Sequence, residues 1–398
     1  MSISNPIEET PIIASDTKTH RIEDLIARFA GAWERPEEHA LRWKNQGGRV
    51  VGIFWDYVPE ELLHAAGLLP YRILGSTDNI TEADRHMPTY VCSLMRSSLD
   101  QALKGKFAFL DGLIASPFWC EAMRPLWELW RAHAPSPWME SLDLPGITEP
   151  GGRAYFAAEV TRLKAALEEL VGREITVEAL AGSIRVYNQG RILLKRLFLL
   201  RQQRLSLLSS VGWAQVVLSS MVMPREEHNR LLAELVEALE ASPVDEMDDL
   251  LRLHLTGTVL IDMGFLRIID EAGAAVTSDD LYTGSRWYWD LVDENEPPLE
   301  AIIERYWTKL PCPARSMPRV RFNQMLDFMK LGRSQGVVFL TERHCDPHIF
   351  EDPLLRTWLE KMGIPCLQLD TELALRAEGQ IRTRVQTFAE MARKGQEA

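Results

Sequence analysis

The chain has 398 residues and a formal net charge of −13 at pH 7, with 46% hydrophobic and 25% charged residues. This composition is typical of a folded globular protein and excludes intrinsic disorder, and the length allows two or three domains with separate cores. The acidic balance excludes a general nucleic-acid-binding protein, because such a protein needs a basic surface.

The sequence carries no sign of export or membrane insertion. Residues 1–20 lack the basic start and the apolar run of a signal peptide. The longest apolar stretch, at about 211–223, is interrupted by polar residues and is too short to span a bilayer. Five cysteines in so large a chain are typical of free thiols, metal ligands or a nucleophile rather than of a disulfide framework. We therefore expect a cytoplasmic protein.

The first part of the chain alternates short apolar runs with helical patterns. The predicted strands are 49–55, 69–74 and 111–116. Helices are predicted from near Ile22, between Pro59 and Gly67, over 90–103 and from near Cys120. Strands that alternate with helices predict a parallel doubly wound sheet, so the fold class is α/β.

A long helical region separates this sheet from a second one. The pattern is helical from Ala154 to about Leu251, with Thr176 as a predicted N-cap and Pro224 at the start of a further helix. Strands are then predicted at 256–262, 274–280, 336–342 and 364–370, followed by a last helix from about Glu378. The predicted domains are 1–45 (N-terminal extension and helix), 46–150 (first α/β domain), 151–252 (helical bridge) and 253–398 (second α/β domain with the C-terminal helix).

Three of the cysteines lie at predicted element boundaries among polar or aromatic residues. Cys120 and Cys345 each follow an apolar run that ends in a turn, and Cys92 precedes a helix. Ligands of parallel α/β sheets bind at the carboxyl ends of the strands, and three thiols at such a crevice would suit an iron–sulfur cluster. Taken singly, each thiol also fits a small buried hydrophobic residue. That alternative suits Cys366, inside a strand, and Cys312, in a loop between prolines.

Other chemistries could use the same residues. A zinc site could use His344, Cys345, Asp346 and His348, but structural zinc sites usually bring their ligands in two close pairs, and no second pair is present. A Cys–His dyad at Cys345 is possible but generic. The sequence contains neither a P-loop nor a G-x-G-x-x-G motif, so any ATP would have to be bound by another protein.

Aromatic and basic residues offer two further signals. Trp119, Trp127 and Trp130 surround Cys120, and the last two share a helix face, which is typical of core or interface packing; a dry wall around a reactive centre is the functional alternative. Arg382 and Arg384 lie at the start of the last helix, where cations oppose the helix dipole. This position makes an anionic partner, such as a carboxylate or phosphate, more plausible, while a solvated helix face remains the default interpretation.

From about Trp43 to Met391, the chain resembles the family of 2-hydroxyacyl-CoA dehydratases and benzoyl-CoA reductases. The segments that carry the resemblance are VPEELLHAAGLLPYRILG (58–75), YVCSLMRSSLDQAL (90–103), FLDGLIASPFWCEAMRPLWELW (109–130), SDDLYTGSRW (278–287), GVVFLTERHCDPH (336–348) and EGQIRTRVQTFAEM (378–391). Within the family, residues 183–201 and 223–232 look closest to a C-type subunit of benzoyl-CoA reductase.

The resemblance implies two Rossmann-like α/β domains flanked by helices, with a [4Fe–4S] cluster in the cleft between them. The positions that match its three cysteine ligands are Cys92, Cys120 and Cys345, which would leave one iron open. It also implies a related second subunit, an acyl-CoA substrate and a separate ATP-hydrolysing iron–sulfur activator that injects single low-potential electrons. Dehydratases use the electron to form a ketyl radical from the thioester, and reductases use it to begin dearomatisation of a benzoyl ring.

Further residues are placed by the same resemblance. Glu60, Glu61 and His64 are candidates for proton handling, with a solvated helix face as the alternative. Ser285, Arg286 and Arg382 are expected near the CoA or the cluster, and Arg96 could stabilise an electron-rich cluster by its charge. Two other functions stay open at this stage: a homodimeric double-cubane-cluster reductase that acts on small molecules without acyl-CoA, and a non-catalytic partner subunit without a cluster.

Overall fold

The computed structural model describes residues 12–116, 120–146, 150–244 and 249–397, and within these ranges the chain forms two four-stranded parallel sheets. The first sheet contains β1 (Arg49–Ile53), β2 (Leu68–Arg72), β3 (Gly112–Ala115) and β4 (Met139–Ser141), in the order β2-β1-β3-β4. The second contains β5 (Leu251–Gly257), β6 (Ala274–Asp279), β7 (Gly336–Glu342) and β8 (Cys366–Thr371), in the order β6-β5-β7-β8. Both sheets therefore share one topology, and the predicted α/β class with two parallel sheets is confirmed.

Two strands of the structure differ from the predictions. The strand predicted at 256–262 is wrong, because β5 begins at Leu251 and ends at Gly257. Its first residue therefore lies before residue 253, where the second α/β domain was predicted to start. The start of β5 was not predicted because the strand contains polar residues. One of them, His254, is nevertheless fully buried, and its Nδ1 lies 2.8 Å from Ser278 Oγ. The apolar residues after it form a loop that ends at Asp262, the N-cap of the next helix. The three-residue β4 was not predicted because it is only half-buried and contains no apolar run.

Helices flank the first sheet and fill the region between the sheets. Before and around the first sheet lie α1 (Ile12–Glu34), α2 (Pro36–Asn45), α3 (Glu60–Ala65), α4 (Ser93–Leu103) and α5 (Met123–His133), with a 3₁₀ turn at Ala83–Arg85. The predicted helical bridge contains α6 (Pro150–Val171), α7 (Val177–Arg201), α8 (Ser210–Ser219) and α9 (Arg225–Glu240). The N-cap prediction is confirmed, because Thr176 Oγ1 accepts a hydrogen bond from the Ala179 N–H at 3.2 Å.

The second sheet is covered in the same way. Its helices are α10 (Met263–Glu271), α11 (Ser285–Tyr288), α12 (Pro298–Thr308), α13 (Pro318–Gly332), α14 (Asp346–Lys361) and α15 (Glu378–Glu397), with a 3₁₀ turn at Pro313–Arg315. In the ranges described, none of the helices is both long and apolar enough to cross a bilayer. One large apolar core runs through both sheets and the bridge, and a smaller one lies between β7, α13 and α14.

The helix α7 connects the two halves physically. It packs against α3 of the first half and against α11 and α12 of the second, as well as against α9 within the bridge. Polar contacts fix the same arrangement: Asn188 on α7 donates to the Val292 carbonyl at 2.8 Å. The two sheets are thus held at a defined relative position, which determines what lies between them.

The glycine at the end of β5 gives a test of the strand register. A Cβ on Gly257 would lie 2.5 Å from the Leu340 carbonyl oxygen, the backbone of its partner residue in β7. We expect Gly257→Ala to destabilise the protein by about 2 kcal/mol or more, because the backbone of β7 must move. Urea unfolding measures this, with Gly379→Ala as the matched control, since no atom lies within 4 Å of its added Cβ. Equal stability of the two variants would contradict the register.

Candidate metal centre

The structure brings the three predicted cysteine ligands to one place. Cys92 is the N-cap of α4, Cys345 is the N-cap of α14 directly after β7, and Cys120 lies between β3 and α5. Burial raises the pKa of the Cys92 thiol, and the neighbouring Glu342, Cys345 and Cys120 raise it further. Three thiols from separate elements of both sheets therefore lie within electrostatic reach of one another. None of the five cysteines forms a disulfide.

Nearby backbone N–H groups oppose the effect of burial on the pKa of each of these thiols. The N–H of Met95 lowers the pKa of Cys92, those of Ala122 and Met123 lower that of Cys120, and that of His348 lowers that of Cys345. Thr258 Oγ1 also lies 3.8 Å from the sulfur of Cys345. Donors at a helix N-terminus favour a thiolate, and hydrogen bonds to sulfur are a recognised means of tuning iron–sulfur clusters.

The electrostatics of the site fit a multinuclear cationic centre. Burial raises the pKa of Cys345 to about 12 and also raises that of Cys120, so these thiols hold their protons at neutral pH. Because each thiolate would repel the others, the set can ionise together only around a positive centre. A cluster that binds thiolates supplies such a centre, and the donor set of three cysteines suits iron and sulfide.

A single metal ion does not fit the same residues. Across the part of the chain that the structure describes, no three His, Cys, Asp or Glu side chains are arranged to hold one ion. The residues of the zinc hypothesis also point to different partners: the buried ring of His348 lies 3.3 Å from Asp352 Oδ1, whereas His344 is exposed. A four-iron cluster is larger than an ion and needs its ligands farther apart.

The carboxylate of Glu342, which was not among the residues predicted from the sequence, fixes Cys92 relative to Cys345. Glu342, the last residue of β7, accepts hydrogen bonds from the N–H of Ser93 at 2.9 Å and from its hydroxyl. The Ser93 oxygen in turn accepts from the Leu373 N–H at 2.7 Å. Burial raises the pKa of Glu342 to about 7. A charged residue closing a fully buried strand, three positions before Cys345, was the available signal in the sequence.

An open cleft of about 640 Å³ borders Cys120. Cys120, Pro313, His344 and Asp346 line it, and Phe350, whose side chain is 82% exposed, lies at its edge. The cleft gives a ligand access to the thiol of Cys120 from solvent. Trp127 and Trp130 are core residues, with Trp130 stacked on Phe107 at 5.6 Å, while Trp119 lies outside the described residues.

The two glutamates of α3 are buried, so the solvated-face alternative is wrong for both. Glu60 pairs with Arg72 at 2.5 Å and with Arg225 at 3.3 Å. Glu61 pairs with Arg191 at 2.5 Å and accepts a hydrogen bond from Tyr306 Oη at 2.8 Å. Burial alone would raise both pKa values, but the arginines outweigh it and hold the pKa of Glu61 at about 2.

His64 sits on the same helix but reaches solvent. Its Nδ1 lies 3.0 Å from Ser183 Oγ, and its Nε2 lies 3.0 Å from Glu226 Oε1. Both ring nitrogens therefore have partners, one of which is an exposed carboxylate. The predicted roles of Glu60 and His64 in catalysis stay predictions.

The predicted CoA- or cluster-binding residues occupy two different environments. Ser285 and Arg286 are buried; the Ser285 N–H donates to Asp279 Oδ1 at 2.7 Å, and Arg286 donates to the Gly257 carbonyl. The next residue, Trp287, donates to Glu60 at 3.2 Å, which joins this segment to α3. Arg382 instead lies on the partly exposed surface of α15, paired with Glu271 and Glu378.

The two remaining basic candidates also have partners. Arg96 pairs with Asp84 at 2.5 Å, and Arg384 donates to the Gln368 carbonyl at 2.7 Å. Both side chains therefore already have polar partners within the protein.

Cys312, which the sequence places in a loop between prolines and which suited a buried structural thiol, influences two of the other thiols electrostatically. Burial raises the pKa of Cys120 and Cys345, and a charge on Cys312 raises each further. A loop between prolines gave no local signal for this position.

Comparisons with known proteins identify relatives along almost the whole chain. The family model "2-hydroxyglutaryl-CoA dehydratase, D-component" matches residues 56–392. The beta subunit of (R)-phenyllactyl-CoA dehydratase from Clostridium sporogenes is 24% identical over 91% of this chain and 97% of its own. The C-type subunit of benzoyl-CoA reductase from Thauera aromatica is 26% identical over 92% and 97%, respectively. The beta subunit of (R)-2-hydroxyglutaryl-CoA dehydratase from Acidaminococcus fermentans is 26% identical over 93% and 99%.

The ion pair of Glu61 gives a test of the buried network. We expect Glu61→Gln to destabilise the protein by about 3 kcal/mol at pH 7, because Arg191 keeps its charge without a buried partner. The folded pKa of about 2 lies below the ordinary value of 4.5, so the stabilisation is present above pH 4.5 and is lost as the pH falls toward 2.

Urea unfolding across this pH range measures the effect. The variant should lose less stability than the unmodified protein between pH 4.5 and 2. Glu234→Gln is the control, because its pair with Arg230 is exposed and should change stability by less than about 0.5 kcal/mol. Identical pH profiles for Glu61→Gln and Glu234→Gln would contradict the assignment.

Proposed function

The chain belongs to the 2-hydroxyglutaryl-CoA dehydratase D-component family, and we propose that it is the iron–sulfur subunit of an ATP-activated acyl-CoA enzyme. The reaction is either reduction of an aromatic acyl-CoA of the benzoyl-CoA type or dehydration of a 2-hydroxyacyl-CoA. The observation that carries the proposal is the convergence of Cys92, Cys120 and Cys345 from both halves of the fold. Subunits of both enzyme types are similar to this chain at 24–26% identity, so similarity does not rank the two reactions.

In this proposal Cys92, Cys120 and Cys345 hold a [4Fe–4S] cluster in the cleft between two Rossmann-like domains, at about 46–150 and 253–398. When bound, the cluster supplies single low-potential electrons for the chemistry of a CoA thioester. The backbone N–H groups at each sulfur stabilise the thiolates. The hydrogen bonds between Ser93 and Glu342 keep the start of α4 at the end of β7. The ligands from the two halves therefore keep their relative positions.

The remaining candidate residues take the following roles. His64 exchanges a proton with solvent, since its side chain is partly exposed and hydrogen-bonded at both nitrogens. Glu60, fixed by Arg72 and Arg225, acts as a constant negative charge that positions these residues. Arg286 offsets the negative charge of the thiolates from its buried position. Ser285 supports this turn, and Arg382 contacts the phosphates of CoA by exchanging its present carboxylate partners for them.

The proposal includes two protein partners. The similar proteins named above are beta or C-type subunits, which supports a related second subunit for this chain. The absence of a P-loop from the sequence supports a separate ATP-hydrolysing iron–sulfur activator as the electron donor. A reducing compartment such as the cytoplasm would keep the thiols available as ligands. The double-cubane alternative, which involves no acyl-CoA, is not favoured by relatives that are subunits of CoA-thioester enzymes.

The ligand assignment is tested by iron and acid-labile sulfide after strictly anaerobic purification, with EPR of the reduced protein. We expect about four irons and four sulfides per chain, and loss of most of both in Cys120→Ala with the protein still soluble. Cys366→Ala is the matched control and should keep its iron, because Cys366 lies in β8 and its sulfur faces the Ile364 carbonyl. Unchanged iron in Cys120→Ala would refute the assignment, and about eight irons would support the double-cubane alternative.

The same variants test the reaction. Together with the second subunit and the activator, the unmodified chain should turn over an aromatic or 2-hydroxy acyl-CoA in the presence of ATP and a reductant. We expect Cys120→Ala to lose at least about 100-fold in rate, since its electron pathway is removed, whereas Cys366→Ala should keep its rate. Turnover by the Cys120→Ala complex would contradict a role for this centre in the reaction.

A further inference from the structure

A second open cleft lies at the carboxyl end of the edge strand β2, apart from the cysteines. Its volume is about 640 Å³. Its walls come from the junction of α1 and α2, from the loop after β2, and from the end of α4 with the residues that follow it. Val222 of the segment between α8 and α9 and Ile261 of the second half also line it. Ligands of parallel sheets bind outside the carboxyl ends of the strands, so this cleft has the position of a binding site.

Aromatic side chains line a large part of the cleft. They are Trp33, Tyr71, Phe107 and Phe109. Tyr71 and Phe109 pack edge to face with their ring centroids 5.1 Å apart, and Phe107 stacks on the core residue Trp130. Trp33 and Phe107 are only half-buried, which leaves part of each ring open to a ligand. Such rings bind the apolar body of a small molecule, and their faces also attract an organic cation.

Three carboxylates at the cleft lack a cationic partner. Glu34, Glu37 and Asp78 line it, and none of them forms an ion pair within the part of the chain that the structure describes. The carboxylate of Asp78 accepts only from the side-chain amide of Gln101, at 3.3 Å. The helix dipole accounts for Glu37 in the first turn of α2, but Glu34 is the last residue of α1, where a negative charge opposes the dipole. A cation in the cleft would compensate Glu34.

The basic side chains at the cleft do not neutralise these carboxylates. Arg72 is buried and is already paired with Glu60 at 2.5 Å. Lys106 is exposed and forms no ion pair with any described residue. Three carboxylates against the single charge of Lys106 leave the exposed lining with a net charge of −2. This charge repels the phosphates of CoA, so the cleft does not suit the thioester substrate of the proposed function.

A buried hydroxyl lines the cleft without a hydrogen-bond partner. Tyr71 is 5% exposed, and among the described residues nothing hydrogen-bonds to its Oη. Burial raises the pKa of Tyr71, and the charge of Glu37 raises it further, so the hydroxyl lies within electrostatic reach of that carboxylate. Buried polar groups normally have partners, and an unsatisfied hydroxyl at a cleft indicates that a ligand completes its hydrogen bonding.

We propose that this cleft binds an organic ammonium ion with an apolar body. The ammonium group donates to the carboxylate of Glu37 and to Tyr71 Oη, and the body packs against the half-buried rings of Trp33 and Phe107. Because the lining residues come from both halves of the fold and from the region between them, the ligand also stabilises their relative position. The site uses neither a cluster nor a second subunit, so the inference stands independently of the proposed function.

Isothermal titration calorimetry of the full chain at pH 7 tests the inference. The probe is phenethylammonium, and the reference is 2-phenylethanol, which has the same size and no charge. We expect phenethylammonium to bind at least about 10-fold more tightly, because the alcohol loses the charge-assisted hydrogen bond and the cation–aromatic contact. The affinity should fall as the ionic strength rises from about 0.05 to about 0.5 M, since the carboxylates are screened.

Variants assign the binding to this cleft. Glu37→Gln and Tyr71→Phe each remove one polar contact and should each weaken phenethylammonium binding at least about 5-fold. Glu38→Gln is the matched control, because Glu38 is the next residue of α2 but pairs with Arg35 at 3.4 Å and does not line the cleft. Equal affinity for 2-phenylethanol, affinities unchanged in both variants, or no binding at about 10 mM probe would overturn the inference. None of these results would alter the iron content or the turnover on which the proposed function depends.

Discussion

The fold depends on two adjacent buried carboxylates, Glu60 and Glu61, at the start of α3. Glu60 pairs with Arg72 of the first sheet and Arg225 of the bridge, and Glu61 pairs with Arg191 of the bridge. Further contacts reach the second half through Trp287 and Tyr306. A buried charge without its partner costs several kcal/mol, so no part of this network can move away from the others without a large loss of stability. The network thereby fixes the relative position of the two sheets and the helical bridge.

That constraint explains why thiols so distant in sequence lie together. The first half contributes Cys92 and Cys120, and the second half contributes Cys345. These thiols come near one another only because the two halves are held in a fixed relative position. Direct ties across the site complete the arrangement: Glu342 accepts from Ser93, and Tyr57 accepts from the Cys312 N–H. The candidate metal centre thus depends on the interface between the halves rather than on either half alone.

Local patterns in the sequence predicted the parallel sheets, because buried strands are apolar, and they marked three cysteines at element boundaries as candidate ligands. They failed where burial of polar groups depends on distant partners. His254 gave the sequence of β5 a polar residue that is untypical of a buried strand, yet Ser278 on the neighbouring strand provides its hydrogen-bond partner. The glutamates of α3 looked like a solvated face, yet arginines from other elements pair with them. Cys312 had no local signal because its loop is positioned by Asp56 and Tyr57, more than 200 residues earlier in the chain.

Buried ion pairs that involve no thiol fix the elements around the candidate site. Arg321 pairs with Asp280 at 2.6 Å and with Glu351, which joins the end of the second sheet to α13 and α14. Lys309 and Asp56 form a second buried pair, which joins the residues just before Cys312 to the first half. Because none of these pairs uses a thiol, they order the ligands independently of a cluster, and binding costs little entropy for their placement. In the proposed function, a centre preorganised in this way changes its redox state with small structural rearrangement, which one-electron transfer at low potential requires.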